Sequence, residues 1–254
     1  MSVTFQVDGK AYGRFMGRYS EPLAAVFADW AGVQPGERAL DVGCGPGALS
    51  AALVDRLGVG QVSAVDPSEP FVDAVRARLP DLEVHRSPAE HLPFDDAVFD
   101  RALAQLVVSF MKDPVAGLAE MARVTRPGGT VAACVWDLAG ERSPLQPLWS
   151  AARRLDPTVD NESGMAGARE GHLAELASAA GLRDVESGEV SVTVTHPSFE
   201  EWWEPYTLGV GPAGDHVASL DPQAREALRE ECRRGLPDAP FDVTAVAWAV
   251  RATV

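Results

Sequence analysis

The 254-residue chain sets 37 acidic against 22 basic residues, a net charge of −15 at pH 7, with 46% apolar content. A field of that sign works against nucleic acid, whose binding rests on Lys and Arg neutralising phosphates; Arg153-Arg154 and Arg233-Arg234 each sit among acids and read as solvated helix faces. No apolar run approaches the roughly 20 residues of a membrane span, Met1 to Lys10 has no secretory pattern, and Cys44, Cys134 and Cys232 lack the spacing of a disulfide framework or zinc site. The expectations are one domain over residues 1–254 with a sizeable core, a reducing cytoplasm, a small-molecule partner and no metal. Oligomeric state is not readable.

Residues 11–31 place Tyr12, Phe15, Met16, Tyr19, Leu23, Val26, Phe27 and Trp30 at helical spacings, broken near Ser20-Glu21-Pro22, where a new helix starts with Pro22 in its first turn. Ala39 to Val42 is a buried strand. Gly43, Cys44, Gly45, Pro46 and Gly47 form a glycine turn after it, and a helical pattern follows from Ala48 to Val54. Strand, glycine turn and helix make a nucleotide-cofactor site.

Glycine spacing alone does not separate the ligands, because Gly43-x-Gly45-x-x-Ala48 also satisfies a dinucleotide pattern. Asp41 does separate them. It sits two residues before the first glycine, at the carboxyl end of the strand, and the expectation is that it points into the crevice. A carboxylate there repels a pyrophosphate and pairs with an ammonium group. S-adenosylmethionine carries an ammonium, a sulfonium and no phosphate.

The second strand, Gly60 to Asp66, ends in an acid 19 residues after Gly47, the spacing of a ribose-binding carboxylate. An amphipathic helix, Glu69 to Leu79, follows, and a brief third strand spans Leu82 to His85. Phe99 to Val108 is a central strand, Val115 to Val124 a helix, Arg126-Pro127-Gly128-Gly129 a tight turn, and Thr130 to Trp136 the fifth strand. From Asp137 to about Gly164 the pattern dissolves, save a short helix at Leu148 to Leu155. His172 to Ala180 is a helix and Val190 to Thr195 the sixth strand. Residues 197–241 hold Trp202 and Trp203, a Gly/Pro loop from Gly209 to Gly214, and a charged helix from Pro222 to Arg234. Val243 to Val250 closes the sheet.

The expected fold class is α/β: a doubly wound, mostly parallel seven-stranded sheet with an antiparallel last strand and a helical cap built from insertions. Its parts are a helical lid at 11–31, a cofactor-binding core at 35–136, cap insertions at 137–165 and 197–241, and a closing strand at 242–254. Loops at the carboxyl ends of strands carry function in such sheets. That puts Trp136, Trp202, Trp203 and Tyr206 in a substrate pocket, where aromatic rings suit a flat or apolar acceptor.

The sequence resembles the class I S-adenosylmethionine-dependent methyltransferases, in the branch with the ubiquinone and menaquinone C-methyltransferases. The resemblance rests on Leu-Asp-Val-Gly-Cys-Gly-Pro-Gly (40–47), Val-Ser-Ala-Val-Asp (62–66), Ala-Glu-His-Leu-Pro-Phe (89–94), Phe-Asp (99–100) and Arg-Pro-Gly-Gly (126–129). It covers about residues 10–136 and the final strand. It implies that Tyr12, Met16 and Arg18 rim the cofactor, with Arg18 on its carboxylate, and that Asp66 and Pro67 border the ribose. It also implies that Ala89 and Glu90 meet the adenine, where Pro88 replaces the acid usual at that position, and that Ala104 and Gln105 flank the crevice. Ser109 and Phe110 stand where many relatives place histidines, which removes the usual base.

The implied reaction is methyl transfer to an oxygen, nitrogen or carbon of a small molecule, chiefly through positioning, with S-adenosylhomocysteine as product. His216, preceded by Asp215, is the candidate base, with His196 and His172 as alternatives. Two other functions stay open: a nicotinamide-dependent oxidoreductase on a Rossmann sheet, and a non-catalytic cofactor-binding protein.

Overall fold

A computed structural model describes residues 13–254. Seven strands, β1 (Ala39–Val42), β2 (Val62–Asp66), β3 (Glu83–Arg86), β4 (Phe99–Gln105), β5 (Thr125–Trp136), β6 (Arg183–His196) and β7 (Phe241–Thr253), form one sheet in the order β3-β2-β1-β4-β5-β7-β6. Neighbours from β3 through β5 pair parallel, and β7 runs antiparallel to both β5 and β6. The expected sheet is the observed one. Strand order reverses at β1 and β4, so the carboxyl ends of these two strands open the crevice where ligands of open α/β sheets bind.

β1 is buried along its whole length, and β4 buries Ala102, Leu103 and Ala104 completely. Covering both faces of parallel strands requires helices, and these follow the apolar spacing. They are α1 (Arg18–Trp30), α2 (Ala48–Leu57), α3 (Glu69–Arg78), α4 (Pro114–Val124), α5 (Gln146–Leu155), α6 (His172–Ala179), α7 (Phe199–Trp203), α8 (Gly211–Ser219) and α9 (Pro222–Gly235).

Several boundaries differ from the expectations. α1 runs through Pro22 instead of starting there. A π-turn at Gly13–Gly17 leads into it, and Pro22 lies inside the helix, where its missing N–H removes one intrahelical hydrogen bond. Leu23, Ala24, Phe27 and Ala28 of α1 are fully buried, and the helix packs on α2 and β6. It is therefore a sheet-covering helix, and only its lead-in reaches the crevice. The 126–129 turn lies within β5, where the Gly128 and Val254 amides donate to Val254 and Gly129 carbonyls. The Gly/Pro loop is mostly α8, since Pro212 takes a first-turn position that has no N–H to lose. β6 is far longer than its apolar core because β7 supplies backbone partners along nearly all of it. The two stretches expected as insertions meet: α5 packs against α9, with Arg154 Nε 2.5 Å from Glu231 Oε1.

Candidate functional site

The glycine turn is anchored by the Gly43 and Cys44 amides, which both donate to the Val65 carbonyl at 2.8 and 2.9 Å. Gly43 has φ +71°, and a Cβ there would lie 2.3 Å from Val107 Cγ2, so glycine is demanded by packing. Gly45 has φ +52° with nothing within 4 Å of its would-be Cβ. Its surroundings are open, and its amide donates to Asp66 Oδ2 at 2.9 Å. Asp66 Oδ1 accepts from the Ser68 amide at 2.8 Å, so β2 delivers a carboxylate oriented by two backbone donors beside that open space.

Asp41 lies deeper than its strand-end position implies. It is 1% exposed, and its Oδ2 accepts from Ser50 Oγ at 2.6 Å. The reason is α2, whose first turn places Ser50 across the end of β1. The carboxylate thus sits behind the glycine turn, and the expected direct pairing with a ligand gives way to a longer-range electrostatic effect. Burial pushes its pKa up to about 7 and that of Asp66 up to about 6, with the two acids raising Asp41 further through mutual repulsion. Two carboxylates short of a cation suit a positively charged ligand and oppose a diphosphate.

Other residues expected at the cofactor have tasks within the protein. Cys44 is buried and its thiol pKa is raised by burial. Pro67 is exposed beside Asp66, its carbonyl accepting from Arg86 Nε. Ala89 packs into the core, while Glu90 Oε1 accepts from the Lys112 and Asp113 amides, which turns its side chain away from an adenine role. Ala104 is fully buried, and Gln105 Nε2 donates to the Ser20 carbonyl, tying β4 to α1. Tyr12 lies outside the described residues.

Arg18 does not rim the crevice. Its NH1 donates to His196 Nδ1 at 3.0 Å and lies 3.8 Å from Glu201. A guanidinium only donates, so it fixes the tautomer, and His196 Nε2–H donates to Tyr19 OH at 2.8 Å. Burial and Arg18 together push the His196 pKa down to about 4, and the ring stacks on Phe241. His196 is a neutral core residue. His172 is also engaged, accepting from the Gly167 amide through Nδ1.

A second chamber opens where β4 and β5 end. It has about 50 Å³ of internal space, lined by Phe15, Met16, Leu106, Ser109, Phe110, Val135, Trp136, Leu138, Leu145, Glu162 and the 210–213 segment that starts α8. Leu106 holds φ +62°, a strained value for a branched side chain that marks this strand end. Met16, expected at the cofactor, and Trp136, expected at the acceptor, both line this chamber. Trp202, Trp203 and Tyr206 do not; they are buried with Phe199 in an aromatic cluster whose ring centroids lie 4.9 to 6.5 Å apart. The cap needs its own core, and its largest rings supply it.

His216 is likewise outside this chamber. It lies in the second turn of α8, half-buried, with its ring 5.5 Å from Trp149. Among the described residues the ionisable group in the lining is Glu162, within a polar 160–164 stretch whose sequence carries no periodic or motif signal. Glu162 is 9% exposed, its Oε2 accepts from Trp149 Nε1 at 3.1 Å, and burial pushes its pKa up to about 7.

The comparisons agree with this geometry. A family model described as a methyltransferase domain matches residues 40–133. An uncharacterized methyltransferase of Mycobacterium tuberculosis is 39% identical over 142 residues, 56% of this chain and 55% of that protein. A demethylmenaquinone methyltransferase of Beutenbergia cavernae is 45% identical over 101 residues, 40% of this chain and 41% of that one. The chain thus spans about half the length of the curated relatives it matches. The fold is shared with a Haemonchus contortus phosphoethanolamine N-methyltransferase solved with phosphomonomethylethanolamine and S-adenosylhomocysteine. That match has a TM-score of 0.60 and 16% identity, and covers 96% of this chain and 56% of that one. Residues 40–133 thus match a methyltransferase domain, and the seven-stranded sheet that contains them is the fold this chain shares with solved methyltransferases.

Proposed function

We propose that the chain transfers a methyl group from S-adenosylmethionine to a small-molecule acceptor. The observation that carries this reading is the Asp66 carboxylate, held by the Gly45 and Ser68 amides beside the open space at Gly45. Asp66 is positioned to accept from ribose hydroxyls. Gly45 gives the ligand a close approach to the backbone, and Asp41 adds negative potential from behind. Pro67, exposed at the end of β2, borders the nucleoside.

When bound, S-adenosylmethionine supplies an activated methyl group on a sulfonium sulfur. The protein contributes alignment and exclusion of water, worth about 7–11 kcal/mol in well-oriented reactions. The apolar chamber beyond Leu106 and Trp136 supports an acceptor of low polarity. The net charge of −15 disfavours a nucleic-acid acceptor. No helix among the described residues is long and apolar enough to cross a membrane. Three buried free thiols accord with the reducing cytoplasm, where we place the protein.

Calorimetric titration with S-adenosylhomocysteine and NADH tests the reading. Binding of the first without the second is expected, and the reverse would refute it.

A further inference from the structure

We propose that Glu162 receives the acceptor: it accepts a hydrogen bond from a ring hydroxyl or ring amino group of a flat, otherwise apolar molecule and takes that group's proton during transfer. The inference deepens the methyl-transfer reading and rests on it. Among the described residues, Glu162 is the ionisable one in a chamber lined elsewhere by Phe15, Leu106, Phe110 and Leu138, and no arginine or lysine shares the lining. Its Oε2 is engaged by Trp149, and among the described residues no hydrogen bond engages Oε1.

A second observation points to a ligand. Trp136 belongs to the same lining, and its buried Nε1–H has no hydrogen-bond partner. A buried polar group left unpaired is costly. Glu162 supplies an acceptor and Trp136 a donor within the same lining, the complements of a hydroxyl or amino group, which donates a hydrogen and offers a lone pair. Apolar walls suit the ring that carries it.

The proton balance is simple. As the acceptor's oxygen or nitrogen forms its bond to the methyl carbon, its hydrogen passes to Glu162. The carbon–sulfur bond breaks with its electron pair left on sulfur, and Glu162 returns the proton to solvent after release. Burial places the Glu162 pKa at about 7, near the operating range of a general base. The nearby Tyr206 phenol is kept protonated by burial.

The test uses three probes of one shape, 4-ethylphenol, 4-ethylaniline and ethylbenzene, titrated into the full chain with tryptophan fluorescence as readout. 4-Ethylphenol and 4-ethylaniline are expected to bind wild type, with affinity for 4-ethylphenol changing through pH 7. In Glu162→Leu that affinity falls at least tenfold, while ethylbenzene binds no more weakly than to wild type. In Glu162→Gln, where the amide oxygen still accepts from Trp149, the pH dependence is lost. No detectable 4-ethylphenol binding to wild type, equal affinity in Glu162→Leu, or an unchanged pH profile in Glu162→Gln overturns the proposal. S-adenosylhomocysteine affinity, measured on the same three proteins, reports on the cofactor reading separately and is expected to be the same in all.

Discussion

Ser50 Oγ donates to Asp41 Oδ2 at 2.6 Å, so the acid that ends β1 is answered by the helix behind the glycine turn. Asp41 and Asp66 are thereby two buried carboxylates without a cationic partner among the described residues, and their raised pKa values have consequences for stability.

An acid whose pKa is higher in the folded state than in the unfolded chain binds its proton more tightly when folded. Stability is then lost as pH rises from the unfolded value, near 4, through the folded values of about 6 and 7. Asp41→Asn removes this penalty for one group. Its melting temperature at pH 8 is expected above that of wild type, by the equivalent of roughly 2 kcal/mol, with the gain shrinking towards pH 5. Thermal melts at the two pH values decide it.

Ligand binding moves the other way. Asp41→Ala and Asp66→Ala are each expected to weaken S-adenosylhomocysteine at least tenfold by calorimetry. Asp66→Asn, which keeps one oxygen for the Gly45 or Ser68 amide, should lose less than Asp66→Ala. Unchanged affinity in both alanine variants removes these acids from the site.

Gly43 and Gly45 separate packing from binding. Gly43→Ala drives a methyl into Val107 at a positive φ and should cost roughly 2–4 kcal/mol in denaturant unfolding. Gly45→Ala meets no protein atom, so about 1–2 kcal/mol of backbone strain is expected. Its added methyl occupies the open space, and S-adenosylhomocysteine affinity should fall far more than stability does.

His196 is neutral in the fold, its pKa pushed down from 6.5 to about 4. The unfolded chain takes up this proton first as pH falls, so stability is lost from about pH 6.5 towards pH 4. His196→Gln should flatten that part of the stability profile relative to wild type. At pH 7 it should also cost roughly 1–3 kcal/mol through the Tyr19 and Arg18 contacts.

His216 sits against Trp149 and outside the chamber. His216→Ala should leave the affinities for 4-ethylphenol and S-adenosylhomocysteine unchanged and lower stability by about 1 kcal/mol. A loss of 4-ethylphenol binding without unfolding would restore it as a site residue.

The sheet, the glycine turn and Asp66 were readable in the chain because each rests on neighbours in sequence. Apolar runs define strands, three glycines permit one turn, and an acid ends the next strand. What lay beyond reading depends on partners far apart in the chain. The resemblance implies Arg18 at the crevice, yet it meets His196, 178 residues away. Trp202 and Trp203 have the composition of a pocket and form the cap's own core, because which aromatics face a cavity is decided by packing among all of them. Glu162 has no motif around it. Its significance comes from burial against Trp149 and from the ends of β4 and β5, and a carboxylate becomes chemically distinctive only when folding strips its water and leaves one oxygen free.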